Sequence, residues 1–140
     1  LLHVRVDRRF LAMIFAVIDS TDRTLTIASS GLPQPYLVRG GEVRLIELSG
    51  LPLGLMSGQT YNEVRLAMEP GDVVALCSDG VEESRDADDE QFGSERAQEV
   101  LLSLAGEAPY DIAKGLLDAC RNFSKKGRAD DRTVVVLKVV

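Results

Sequence analysis

Histidine is almost absent from this chain: His3 is the single one in 140 residues. That removes the usual base from a Ser-His-Asp or Cys-His arrangement unless a partner segment supplies it. It also argues against zinc, whose sites draw on His and Cys. Cysteine is scarce as well. Cys77 and Cys120 sit in apolar runs, not at metal-ligand spacing. They read as buried thiols of a reducing, cytoplasmic compartment, with a disulfide as the alternative. No apolar stretch nears the ~18 residues of a membrane span, and no secretory signal pattern is visible. Positive charge is outnumbered, with 16 Lys and Arg against 22 Asp and Glu and a net charge of −6. Neither nucleic acid nor an anionic membrane is therefore the expected partner, since either wants a basic face. The chain opens on Leu1-Leu2-His3 rather than Met, so it reads as a piece of a longer protein.

What is present describes an ordinary globular domain. Hydrophobic residues make up 45% and charged residues 27% of the chain, enough apolar material for one core over residues 1–140. Phe10 to Asp19 is a nearly continuous apolar run, and Thr24 to Ser29 alternates. With turn residues between them, the two predict a hairpin whose first strand is largely buried. Tyr36–Arg39, Gly40-Gly41 and Glu42–Ile46 predict a second hairpin with a two-residue turn. Ser49 to Gln59, rich in Gly, Pro and Leu, predicts an ordered loop packed on the core. Strands follow over Tyr61–Met68 and Val73–Ser78. Ala97, Val100, Leu101 and Leu104 mark a helix with Ser94 as its N-cap, and Pro109 opens another along Ile112, Leu116 and Cys120, stopped near Gly127. A last strand spans Thr133–Val140. Strands, then helices, then one more strand indicate α+β.

The chemistry gathers at two acidic pairs. Asp79-Gly80 ends one apolar strand, and Asp130-Asp131-Arg132-Thr133 leads into another. Carboxylates at the tips of buried strands need a cation, a hydrogen-bond network or water to offset their burial. Asp-Gly is also a strong hairpin signal, and Asp130-Asp131 also suits a polar turn. Against the hairpin, Val81–Ser84 looks like a short helical turn. If the two strands are neighbours, Asp79 and Asp130 can share a hard cation, with Gly80 allowing close backbone approach. Asp131, pointing to the other face, caps, pairs with Arg132 or meets a second ion. Carboxylate oxygens call for Mg²⁺ or Mn²⁺. Asp86–Glu90 fails as a calcium loop, because Gln91 and Ala97 stand where such a loop needs Gly and Glu. It reads as a solvated acidic loop. Arg128 and Arg132, with Lys125 and Lys126, either complement a helix end or attract a phosphorylated substrate.

Taken in order, several segments resemble the metal-dependent protein serine/threonine phosphatases of the 2C (PPM) family, in their bacterial SpoIIE-like branch. They are Phe10–Asp19, Ser30–Leu37, Leu51-Pro52-Leu53-Gly54-Leu55, Pro70–Val81, Phe92-Gly93 and Asp130–Thr133. The resemblance implies an α-β-β-α sandwich, truncated here at its N-terminus, with two Mg²⁺ or Mn²⁺ ions in a complete site. By the same resemblance Asp79 and Asp130 match the family's later metal ligands, with Asp131 beside the second. The implied reaction is attack of a metal-activated water on phosphoserine or phosphothreonine of a regulatory protein such as an anti-anti-sigma factor. A fused sensor or response-regulator domain and a homodimer stay open.

The chain also departs from the family. Its Asp-x-Ser-Gly-His-Gly segment and other early metal aspartates belong upstream of the region matching Phe10. Leu32 stands where the family commonly has His, and Gln34 interrupts its usual Pro-Pro. The expectation is the C-terminal part of a phosphatase domain, weak or inactive alone. The alternative is a degenerate phosphatase-fold module that binds a regulatory partner without catalysis.

Overall fold

Turn chemistry sets the two hairpins. In the computed structural model, which describes residues 10–124 and 131–140, β1 (Met13–Asp19) and β2 (Thr24–Ser30) pair antiparallel, with Met13 opposite Ser30 and Asp19 opposite Thr24. Asp19 organises the turn, its carboxylate accepting from the Thr21 N–H at 2.8 Å. β3 (Tyr36–Arg39) and β4 (Glu42–Leu45) are joined by Gly40 and Gly41, whose φ values of 59° and 81° are the positive ones this turn requires. β5 (Val64–Ala67) adds to β2, giving a three-stranded sheet ordered β1-β2-β5. β6 (Val73–Cys77) pairs with β3, and β7 (Val134–Lys138) pairs with β6, giving a four-stranded sheet ordered β4-β3-β6-β7. Both sheets are antiparallel, and the helices are α1 (Asp79–Glu82), α2 (Gly93–Leu104) and α3 (Pro109–Phe123).

The chain divides into two compact units, Leu1–Gln34 with Glu47–Met68 and Pro35–Ile46 with Glu69–Val140. The first holds the three-stranded sheet. The second holds the four-stranded sheet and all three helices, with its core between them. Val73, Ala75 and Cys77 of β6 meet Ala97 and Leu101 of α2 and the Ile112–Leu116–Cys120 stripe of α3. The spacing of that stripe is one helical face, as the sequence predicts. Pro109 does open α3, at its first turn. Lys138 closes the far end of the unit by donating to the carbonyls of Ala105, Gly106 and Glu107 at 2.7 to 2.9 Å. Those carbonyls lie where α2 gives way to α3 and lack helical partners of their own.

Three expectations are corrected. The first strand was expected to be largely buried, yet Phe15 is 61% and Ile18 58% exposed. β1 is an edge strand, and β2 is the one strand paired with it among the described residues. Burial falls instead to β2, through Leu25 and Ile27. Ser94 does not cap α2, which begins at Gly93 after Phe92. Gly93 makes the turn with a φ of 75°, a region where glycine pays no steric cost. The Ser49–Gln59 loop is ordered by backbone bonds more than by burying its leucines. Leu11 and Leu53 exchange bonds of 3.0 and 2.8 Å, and Gly31 donates to Gly50 at 2.9 Å, while Leu51, Leu55 and Met56 stay exposed.

Candidate metal centre

The two acidic segments meet because β6 and β7 are neighbours. Cys77 pairs with Val134 at the end of the ladder, and the pairing continues one step further through the backbone and side chain of Ser78. The Ser78 N–H donates to the Thr133 carbonyl at 3.0 Å, and the Thr133 N–H donates to Ser78 Oγ at 2.9 Å. Ser78 Oγ also reaches the Asp131 carbonyl at 3.4 Å. Gly80 then lies against Asp131 so closely that a Cβ at Gly80 would stand 2.3 Å from that carbonyl oxygen. The glycine is required by this approach, not by its dihedral angles. Asp131 is thus beside Asp79-Gly80. Asp130, Arg128, Lys125 and Lys126 lie outside the described residues.

Asp79 does not turn into a hairpin; it opens α1. Its carboxylate is exposed and accepts from the Gly80 N–H at 2.9 Å. Below it the turn is tightly held: Val81 is fully buried, and Ser84 Oγ donates to the Gly80 carbonyl at 2.7 Å. Glu82, on the same turn, accepts from the Tyr36 hydroxyl, which also lies 3.1 Å from Ser94 Oγ. Sequence reasoning missed Ser78, Tyr36, Glu82 and Ser94. Only the Ser that precedes Asp-Gly stood where a strand-end link could be suspected.

Arg132 turns inward. Its Nη2 donates to Ser124 Oγ at 2.7 Å, and its Nε is buried without a hydrogen-bond partner among the described residues. The acidic loop folds on itself, with Asp86 Oδ1 accepting from the Asp88 and Glu90 N–H groups at 2.9 and 3.0 Å. Both cysteines are free and buried. Burial, with Glu82 and Cys120 nearby, pushes the Cys77 thiol up to about 12, and burial raises Cys120 too. Neither is a thiolate near neutral pH.

The exposed Asp79 carboxylate beside Asp131 is an all-oxygen donor set, the kind that suits Mg²⁺ or Mn²⁺. It fits such an ion in kind and falls short in number. Among the described residues no three His, Cys, Asp or Glu gather closely enough to hold a metal alone.

The family model of Stage II sporulation protein E (SpoIIE) matches residues 1–140. The chain belongs to the SpoIIE family. Stage II sporulation protein E of Bacillus subtilis (strain 168) is 23% identical over 134 residues, covering 95% of this chain and 16% of that protein. The phosphoserine phosphatase RsbU of the same organism is 27% identical over 134 residues, covering 92% of this chain and 39% of that protein. The chain therefore spans well under half of either curated relative. The solved phosphatase domain of B. subtilis SpoIIE, from manganese-presoaked crystals, superposes with a TM-score of 0.73 at 21% identity over 91% of this chain and 56% of that one. The fold expectation holds: helices and antiparallel sheets here match phosphatase domains of the 2C type. RsbU is described as a phosphoserine phosphatase, and a Mycobacterium tuberculosis protein of similar fold, PstP/Ppp, as a serine/threonine phosphatase. No described helix is long and apolar enough to cross a membrane.

Proposed function

We propose that this chain supplies one side of the metal centre of a protein serine/threonine phosphatase. Asp79, Asp130 and Asp131 would be carboxylate ligands to a pair of Mg²⁺ or Mn²⁺ ions, together with carboxylates that the described residues do not provide. The observation that carries the reading is the approach of Gly80 to the Asp131 carbonyl, which sets both acidic segments side by side at the ends of two paired strands. When bound, the ions would lower the pKa of a water and offset charge on the phosphoryl oxygens. The chain's own part is to hold carboxylates at fixed positions. Ser78 ties the two strand ends together, and Gly80 leaves room for the second segment. The reaction is hydrolysis of phosphoserine or phosphothreonine on a cytoplasmic regulatory protein of the anti-anti-sigma type; the description of RsbU as a phosphoserine phosphatase supports the phosphoserine part of this reading.

The test is Mn²⁺-dependent hydrolysis of p-nitrophenyl phosphate. In the full-length protein, Asp79→Ala or Asp130→Ala is expected to lower turnover by roughly a hundredfold or more, since each removes a ligand of the ion that activates water. Mn²⁺ affinity falls with it. The 140-residue chain alone is expected to show little turnover. Unchanged turnover in both variants would remove the catalytic assignment, and vigorous hydrolysis by the isolated chain would overturn the need for further ligands.

A further inference from the structure

We infer that Tyr36, Glu82 and Ser94 form a positioning device for the Asp79 carboxylate, a conclusion that rests on the metal-site reading above. α1 is a single turn of four residues with no side-chain bond at its N-cap. So short a helix does not persist by itself, because nucleation costs more than one turn returns. Its orientation has to come from outside. Val81 anchors the turn apolarly, and Ser84 fastens its exit through the Gly80 carbonyl and through its own carbonyl, which accepts the Phe92 N–H at 2.7 Å. Neither constraint acts at Glu82, which is three residues from Asp79 and so shares its side of the turn.

That side is held by Tyr36. The residue is fully buried on β3, and its hydroxyl donates to Glu82 Oε1. With the tyrosine proton committed to the carboxylate, the Ser94 hydroxyl at 3.1 Å donates back to the tyrosine oxygen. Gln98 Nε2 in turn donates to Ser94 Oγ at 3.2 Å. The result is a directed chain of donors running from α2 through β3 to α1 and ending on a charge. A buried tyrosine needs some partner, and a nearby carbonyl would serve. Here the partner is a carboxylate on a surface turn, which ties that turn to two other elements of the same unit. Charge-assisted bonds of this sort are the stronger class. The consequence falls on Asp79: rotation of α1 about its axis is fixed by Glu82, and the strand-end carboxylate is presented in one orientation.

The experiment uses the full-length protein with Mn²⁺ alone as the probe, read by amide hydrogen exchange and by Mn²⁺ titration. Tyr36→Phe is expected to speed exchange across Asp79–Glu83 by roughly tenfold, the loss of one hydrogen bond to a charged group, while Val73–Cys77 stays protected. Mn²⁺ affinity is expected to fall by a similar factor. Glu82→Gln keeps an acceptor for the hydroxyl and falls between wild type and Tyr36→Phe. Tyr110→Phe, at an exposed position of α3, changes neither reading. Ser94→Ala repeats the direction with a smaller effect, and serves if Tyr36→Phe fails to fold. Unchanged exchange in α1, or faster exchange with Mn²⁺ affinity kept, would overturn the inference. Asp79→Asn separates the levels: if it leaves Mn²⁺ affinity intact, the metal-site reading has failed and this inference with it.

Discussion

Asp72 keeps its charge with 2% of its side chain exposed, and its neighbours explain how. Burial works against the carboxylate. Arg39 answers with a paired contact, Nε to Oδ1 at 2.9 Å and Nη2 to Oδ2, and the Glu69 N–H donates to Oδ2 at 2.7 Å. Together they outweigh burial and hold the acid below its ordinary 3.8. A carboxylate depressed in the folded state contributes stability at pH values above its unfolded value, and that contribution is lost as pH falls below about 4. Arg39→Met leaves Asp72 buried and poorly matched, and is expected to cost about 2 kcal/mol at pH 7. The gap from wild type narrows at pH 3, where the variant's acid, buried without its arginine, takes up a proton. Urea unfolding at the two pH values checks this; an equal gap at both would contradict it. None of this pairing is legible in the sequence, where Asp72 is one acid in a Glu-Pro-Gly-Asp turn and Arg39 the last residue of a strand. Their meeting depends on β3 lying beside β6. Asp79 was legible as a candidate because its type and its place after an apolar run carry chemical meaning without a partner. Tyr36 carried no such sign, since a tyrosine beginning a strand is more often ordinary core.

Between elements, the ends of β6 and β7 decide whether an acidic site can exist. Gly80→Ala would drive a methyl group into the Asp131 backbone, a neighbour that cannot rotate aside. The expected cost is about 1–3 kcal/mol, with the Asp131 segment displaced. Gly106→Ala meets nothing within 4 Å and is the control, expected to stay within about 0.5 kcal/mol. Thermal unfolding of both variants reads the difference, and equal midpoints would mean that the close approach is not a constraint. The sequence showed the hairpins well, because Gly40-Gly41 and the Asp19 turn specify themselves locally. It showed β6 and β7 as strands but not as neighbours, since three helices intervene. It misplaced the burial of β1, because an apolar run reports what a strand prefers to touch and not what covers it. It also gave Ser94 to the helix cap, the local use of a serine, where the fold uses it for a distant tyrosine.

For the molecule as a whole, composition and element order were enough to reach α+β, and the ordered segments were enough to reach the family. They could not tell how much apolar surface the folded chain leaves bare. Phe15, Val17 and Ile18 on an edge strand are the kind of surface that draws chains together, despite a net charge of −6. Val17→Lys is expected to suppress concentration-dependent light scattering of the 140-residue chain while changing stability by less than about 0.5 kcal/mol. Scattering that is unaffected would show that this strand is not responsible. The neighbouring positions of β6 and β7 also have a consequence in time. Asp131 leaves the ribosome about fifty residues after Asp79, on the order of several seconds at ordinary rates of synthesis. Helices form in about a microsecond, so α2 and α3 can take shape long before β7 exists to pair with β6. Among the described elements the acidic site therefore forms late, and a nascent chain halted within α3 would carry Asp79 without the Asp131 segment beside it.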